Sequence, residues 1–85
     1  MPRSVFSDGY KSMLEVLVAA RKEKGVTQVE LAKRLGKPQP FISYVERGER
    51  RVDLIEFCAI AKAMGYEPEF LFKRVLAVLP ERLDI

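Results

Sequence analysis

Apolar residues recur along this 85-residue chain at intervals of three and four, the spacing that gives a helix one buried face. No stretch alternates apolar and polar long enough to suggest a strand. The pattern predicts an all-α domain of five helices. The first is expected from about Asp8 to Lys24, with Ser7 or Asp8 as cap and Gly25 as stop. Tyr10, Leu14, Leu17, Val18 and Arg21 share one face of it. The second is expected from about Gln28 to Leu35, opened by a Thr27–Glu30 capping box and closed by Gly36. Val29 or Leu31, with Ala32 and Leu35, supplies its inner face. The third is expected from Pro38 or Gln39 to Arg47, where Pro38 and Pro40 occupy a first turn whose amides lack intrahelical partners. Ile42 and Val45 turn inward on it, Phe41 partly so, while Gln39, Ser43, Tyr44 and Arg47 face out.

The fourth helix is expected from Leu54 to Met64, with an Asp53–Glu56 capping box and a stripe of Leu54, Phe57, Cys58, Ala61 and Met64. The fifth is expected from Pro68 to Leu79, capped by Glu67 and stopped by Pro80. Phe70, Leu71, Phe72, Val75, Leu76, Val78 and Leu79 are too many for one stripe, so this helix must bury more than one face. Its second face is expected to meet another copy of the chain, through Leu71, Val75, Val78 and Leu79.

Length and composition narrow the function. The chain has room for one domain, 1–85, and 48% hydrophobic residues suit a globular core. No apolar run approaches a membrane span of about 20 residues. The opening MPRSVFSDGY lacks the apolar stretch of a signal peptide. Cys58 stands alone and suits a reducing compartment, so the expected location is cytoplasmic. With no histidine, a Ser-His or Cys-His pair and a zinc site are excluded, and no cofactor is expected. Net charge is only +3, but residues 33–51 hold six basic and two acidic residues, while the remainder holds nine and ten. The positive excess is therefore local, where it would attract a polyanion.

That charge falls on two short helices joined by a glycine turn, the segment of about 27–47. Such a pair places its second helix in the DNA major groove while the first crosses the backbone. Gln39 is long enough for a bidentate contact with adenine. Ser43 can donate or accept, Tyr44 offers a hydroxyl and a ring, and Pro40 offers only apolar contact. Gln28, Lys37, Arg47, Arg50 and Arg51 are candidates for phosphate.

The pattern TQ-x-ELA-x-x-LG followed by Q-x-x-IS-x-x-ERG resembles the Cro and phage-repressor helix-turn-helix family, also called the xenobiotic-response-element (XRE) family. Its residues here are Thr27, Gln28, Glu30, Leu31, Ala32, Leu35, Gly36, Gln39, Ile42, Ser43, Glu46, Arg47 and Gly48. The resemblance extends from about Leu14 to Leu71. It implies a compact lambda-repressor-like fold of five helices, dimeric binding to double-stranded DNA and control of transcription in a bacterial or phage setting. It also implies a structural ion pair between Arg21 and Glu46. Pro38 and Pro40 depart from the family pattern, where a capping Ser or Thr and a polar base contact are common.

Two functional expectations follow. One is a homodimeric regulator, repressor or activator, on a near-palindromic operator. The other is an antitoxin or partner-binding protein that autoregulates its operon, with helix five or the tail LPERLDI docked on a second protein. An enzyme is not expected, because nothing groups the Tyr, Ser and carboxylate side chains into a cleft.

Overall fold

The computed structural model describes residues 7–85, so most of the opening segment lies outside the described residues. Five helices form: α1 Asp8–Glu23, α2 Gln28–Arg34, α3 Phe41–Glu46, α4 Leu54–Met64 and α5 Pro68–Val78. No strand forms among the described residues. α1 packs against α3, α4 and α5, α2 packs against α3 and α4, and α4 packs against α5.

The ends of the helices are set locally. Ser7 Oγ accepts the Tyr10 amide at 3.1 Å and starts α1. Thr27 Oγ1 accepts the Glu30 amide at 3.0 Å and starts α2. Only half of that expected box closes, because the Glu30 carboxylate pairs with Arg34 at 3.2 Å one turn later. The Asp53–Glu56 box of α4 is complete, with bonds of 2.7 and 3.0 Å. Glu67 stands at the N-cap of α5 without a side-chain capping bond, so Pro68 alone marks that start. Leu79 is extended before Pro80, as the proline ring requires, and ends α5.

The third helix is shorter than expected. It begins at Phe41, not at Pro38 or Gln39, and ends at Glu46. Gln39 precedes a proline, and the clash of that ring with its backbone disfavours the helical region. Residues 38–40 therefore form a turn, closed by the Phe41 amide donating to the Pro38 carbonyl at 3.0 Å.

The core draws on every helix. Leu17 and Ala20 meet Leu31, Ile42, Ile60 and Leu71, and a smaller cluster joins Tyr10, Leu14 and Val45. On α2 the inner position is Leu31, and Val29 is 51% exposed. On α4 the stripe is Phe57, Ile60, Ala61 and Met64, not the expected set: Leu54 is 66% exposed and Cys58 half-buried. On α5, Leu71 and Val75 are buried in the chain's own core. Leu71 leaves no surface for a second chain, which counts against the expectation for it, and Val75 shows only an edge, at the groove it shares with Phe57 and Phe72. Leu79 also packs inward, half-buried against the core, and Val78 is exposed.

A polar tie fastens α5 to α1. Arg74 donates to both Glu23 oxygens at 3.0 and 2.9 Å, and the Tyr66 hydroxyl donates to the same carboxylate at 2.7 Å. Hydrogen bonds from Arg74 first, then Tyr66, hold the Glu23 carboxyl at about 2, against the opposing effect of desolvation. A depressed carboxyl stabilises the fold above its unfolded value, and that contribution fades as pH falls toward 2. Glu23→Gln should therefore melt at a lower temperature than wild type at neutral pH, with the gap narrowing as pH falls from 4.5 toward about 2. A gap independent of pH in thermal melts would remove this tie from the acid response.

Candidate nucleic-acid interface

The interface is built on α2 and α3 and the turns beside them. Gly36 takes a φ of +68°, a left-handed conformation that lets the chain reverse directly after α2. Gly48 does the same after α3, with a φ of +78°. Beyond it the Glu49 amide donates to the Tyr44 carbonyl at 2.8 Å and the Gly48 amide to Val45 at 2.9 Å. This Schellman closure turns the arginine-rich segment back along α3.

The orientation of α3 is held from beneath. Ile42 and Val45 are buried, and Glu46 reaches Arg21 of α1. Arg21 donates from Nε to Glu46 at 2.6 Å, from Nη2 to its other oxygen at 3.1 Å, and from Nη1 to the Val26 carbonyl at 2.8 Å. Both side chains are 11% exposed, and each charge is met by the other. Gln28, at the start of α2, donates from Nε2 to Glu46 at 2.7 Å. The ion pair expected from sequence is thus a three-residue link joining α1, α2 and α3. Gln28, expected as a phosphate contact, spends one amide hydrogen inside the protein.

The outer surface holds the expected base-facing residues. Gln39 and Pro40 are exposed on the turn ahead of α3, and Gln39 takes part in no hydrogen bond or ion pair among the described residues. Tyr44 is 44% exposed on α3, and Ser43 is half-buried one residue before it. Arg47 Nη1 donates to Ser43 Oγ, so the Ser43 hydroxyl hydrogen is left to donate elsewhere.

The cations around this surface rest on aromatic rings. Lys37 Nζ lies 5.5 Å and the Arg50 guanidinium 4.9 Å from the Phe41 ring centroid. Arg47 stacks on Tyr44 at 5.2 Å and Arg51 on Tyr10 at 4.5 Å. Such contacts orient a guanidinium without neutralising it. Tyr10 also accepts the Val52 amide at 3.0 Å, which anchors the arginine segment to α1.

Two of the arginines are paired with acids as well. Arg47 forks onto Glu49 at 3.0 and 3.1 Å, and Arg50 onto Glu56 at 3.1 and 2.8 Å. These hydrogen bonds pull the Glu49 and Glu56 carboxyls below their usual range and raise both arginines. Neither glutamate was expected at this surface. Residues two apart do not meet along a helix, but Gly48 ends α3 between Arg47 and Glu49 and so lets them meet. Tyr10 was legible only as an apolar position.

Comparison with known proteins agrees with this arrangement. A family model described as helix-turn-helix matches residues 17–71. A solved XRE-family like protein from Pseudomonas syringae pv. tomato str. DC3000 superposes with a TM-score of 0.80 at 42% identity, over 86% of this chain and 89% of that one. An uncharacterized HTH-type transcriptional regulator, y4dJ of Sinorhizobium fredii (strain NBRC 101917 / NGR234), is 42% identical over 45 residues. That match takes in 53% of this chain and 58% of the relative's length. The chain belongs to the XRE-type helix-turn-helix family, and α2 and α3 are its helix-turn-helix pair. The family is one of DNA-binding transcriptional regulators.

Glu46→Ala should cost about 3 kcal/mol in urea unfolding, because it strands the Arg21 charge in a mostly dry site. Gln28→Ala should cost about 1 kcal/mol, the loss of one hydrogen bond. Equal, small losses for both would show that the link does not hold α3 in place.

Proposed function

We propose that this protein is a homodimeric, sequence-specific regulator of transcription that binds double-stranded DNA with α3 and the preceding turn in the major groove. The supporting observation is the outward row of exposed Gln39, Pro40 and Tyr44 with half-buried Ser43 among them, bordered by ring-stacked Lys37, Arg47, Arg50 and Arg51. In this reading Gln39 takes a bidentate contact to a base, Ser43 donates to a base acceptor and Tyr44 meets a base or a thymine methyl. The four cations meet phosphates on either side, and Gln28 offers its second amide hydrogen to the backbone. Removing a base-reading side chain costs about 1–3 kcal/mol of discrimination, whereas removing a phosphate-binding one weakens all sequences alike.

The same reading needs a two-fold partner, since dimers of this class span two half-sites about one helical turn apart. With Leu71 committed to the core and only an edge of Val75 reaching the surface, the face proposed for a second copy is the one beside them. Leu54, Phe57 and Phe72 line a groove of about 220 Å³ together with Met13, Val52 and Val75. Leu76, one turn beyond Phe72, is 52% exposed and extends this apolar surface. A cytoplasmic location and a near-palindromic operator belong to the same proposal. The second reading is an antitoxin-like protein whose apolar surplus meets a different chain. It is favoured by Phe70, Val78, Leu83 and Ile85, each more than half exposed outside that groove.

Gln39→Ala should lower the ratio of specific to random binding, measured by competition with random duplex. Arg51→Ala should weaken both about equally. A decrease of the same size on both DNAs for Gln39→Ala would remove it from base reading. Leu76→Glu should give a monomer by sedimentation with weakened operator binding and unchanged helix content. A dimer that survives this change, or a stoichiometric foreign chain in its place, would move the interface elsewhere.

A further inference from the structure

The cationic rim is less available than its composition suggests. Arg47 and Arg50 each present a two-pronged fork to a carboxylate, the geometry with which a guanidinium also takes a phosphate. Neither pair is buried: Arg47 and Glu49 are 52% and 56% exposed, Arg50 and Glu56 42% and 29%. Neither glutamate is needed to neutralise a buried charge. Glu56 has a second task, since its Oε1 also accepts the Asp53 amide at 3.0 Å in the α4 cap. That cap fixes the carboxylate where Arg50 finds it. Glu49 has no other side-chain partner among the described residues, and the Schellman turn at Gly48 aims it back at Arg47. Lys37, whose ammonium lies over the Phe41 ring, forms no ion pair among the described residues and acts on Glu56 only at longer range.

We propose that Glu49 and Glu56 are competing ligands for the DNA-binding arginines, so that association with DNA is an exchange of carboxylate for phosphate at Arg47 and Arg50. The proposal rests on the DNA-binding reading above and adds residues to it. In the unbound protein the two forks are occupied and two of the rim's positive charges are compensated. On a duplex, each fork must leave its glutamate, which then remains beside the phosphates as an uncompensated negative charge. Random sequence has only phosphate contacts to set against this cost, and a genome offers such sites in vast excess. An operator adds base contacts, so the glutamates hold affinity for random DNA low while the protein remains able to bind its target. Both carboxyls are shifted down by their arginines, so the competition operates throughout the neutral range.

The test is a pair of double-mutant cycles on the full chain with a 20-base-pair duplex of random sequence, at several salt concentrations. Glutamine keeps the shape of each glutamate and retains the acceptor that caps α4. Glu49→Gln and Glu56→Gln should each tighten binding about two- to fivefold, the range of an exposed ion pair. Removing any negative charge near DNA tightens binding somewhat, so the cycle carries the decision. In the Arg47→Met background, Glu49→Gln should gain less than about twofold, and Glu56→Gln likewise in the Arg50→Met background. Equal gains with and without the arginine would reduce the glutamates to general repulsion and overturn the exchange. No gain in either single variant would overturn it too. If the α4 cap fails in Glu56→Gln, seen as lower helix content, the Glu49 cycle decides by itself. Wild-type protein that ignores duplex even at low salt would instead sink the DNA-binding reading, and the exchange with it.

Discussion

Arg21 and Glu46, with Gln28 joined to them, hold the recognition surface in place. α3 has six residues and no side-chain cap, too short to persist by its own hydrogen bonds. It is kept by Ile42 and Val45 below and by Glu46 at its end, where Arg21 and Gln28 converge. A pair this dry gains little net stability, because desolvation offsets much of the attraction. What it supplies is geometry. Arg21 can satisfy Glu46 and the Val26 carbonyl at once only if the start of α2 and the end of α3 lie at one distance from α1. The outward placement of Gln39, Ser43 and Tyr44 follows from that constraint.

A net charge of +3 understates the rim and also overstates it. Aromatic stacking gathers four cations around α3, so local density exceeds what the whole-chain balance suggests. Carboxylates then offset two of those cations. Phe41 and Tyr10 each do two things here, packing against the core on one side and supporting a guanidinium on the other. Amphipathic side chains at the edge of a small core let one residue serve both packing and charge placement.

Much of the fold is legible in the sequence because its punctuation is local. Thr27, Asp53 and Gly36 act within a turn of themselves, so their effect can be read without knowing what lies across the core. The start of α3 departs from the expected position for an equally local reason: a proline restrains the residue before it, and Gln39 sits between two of them. The α4 and α5 faces depend on non-local facts. Leu54 and Ile60 are chemically alike, and which is covered depends on how α4 lies against α1, α2 and α5. Leu71 and Val75 look like surplus in the sequence because an apolar helix does not reveal which side faces its own chain. The ion pair of Arg21 and Glu46 spans 25 residues and is legible through family resemblance. The partnership of Arg50 with Glu56 has no such guide, since the loop between them follows neither a helical nor a strand period.

The most direct test of the account is a nuclear magnetic resonance titration of the protein with short duplex DNA, following backbone amides at low salt. Perturbations concentrated on Gln39, Ser43, Tyr44, Arg50 and Arg51, with Arg21 and Glu46 little changed, are the predicted result. Perturbations confined to α1 or α5, or none at all, would contradict it.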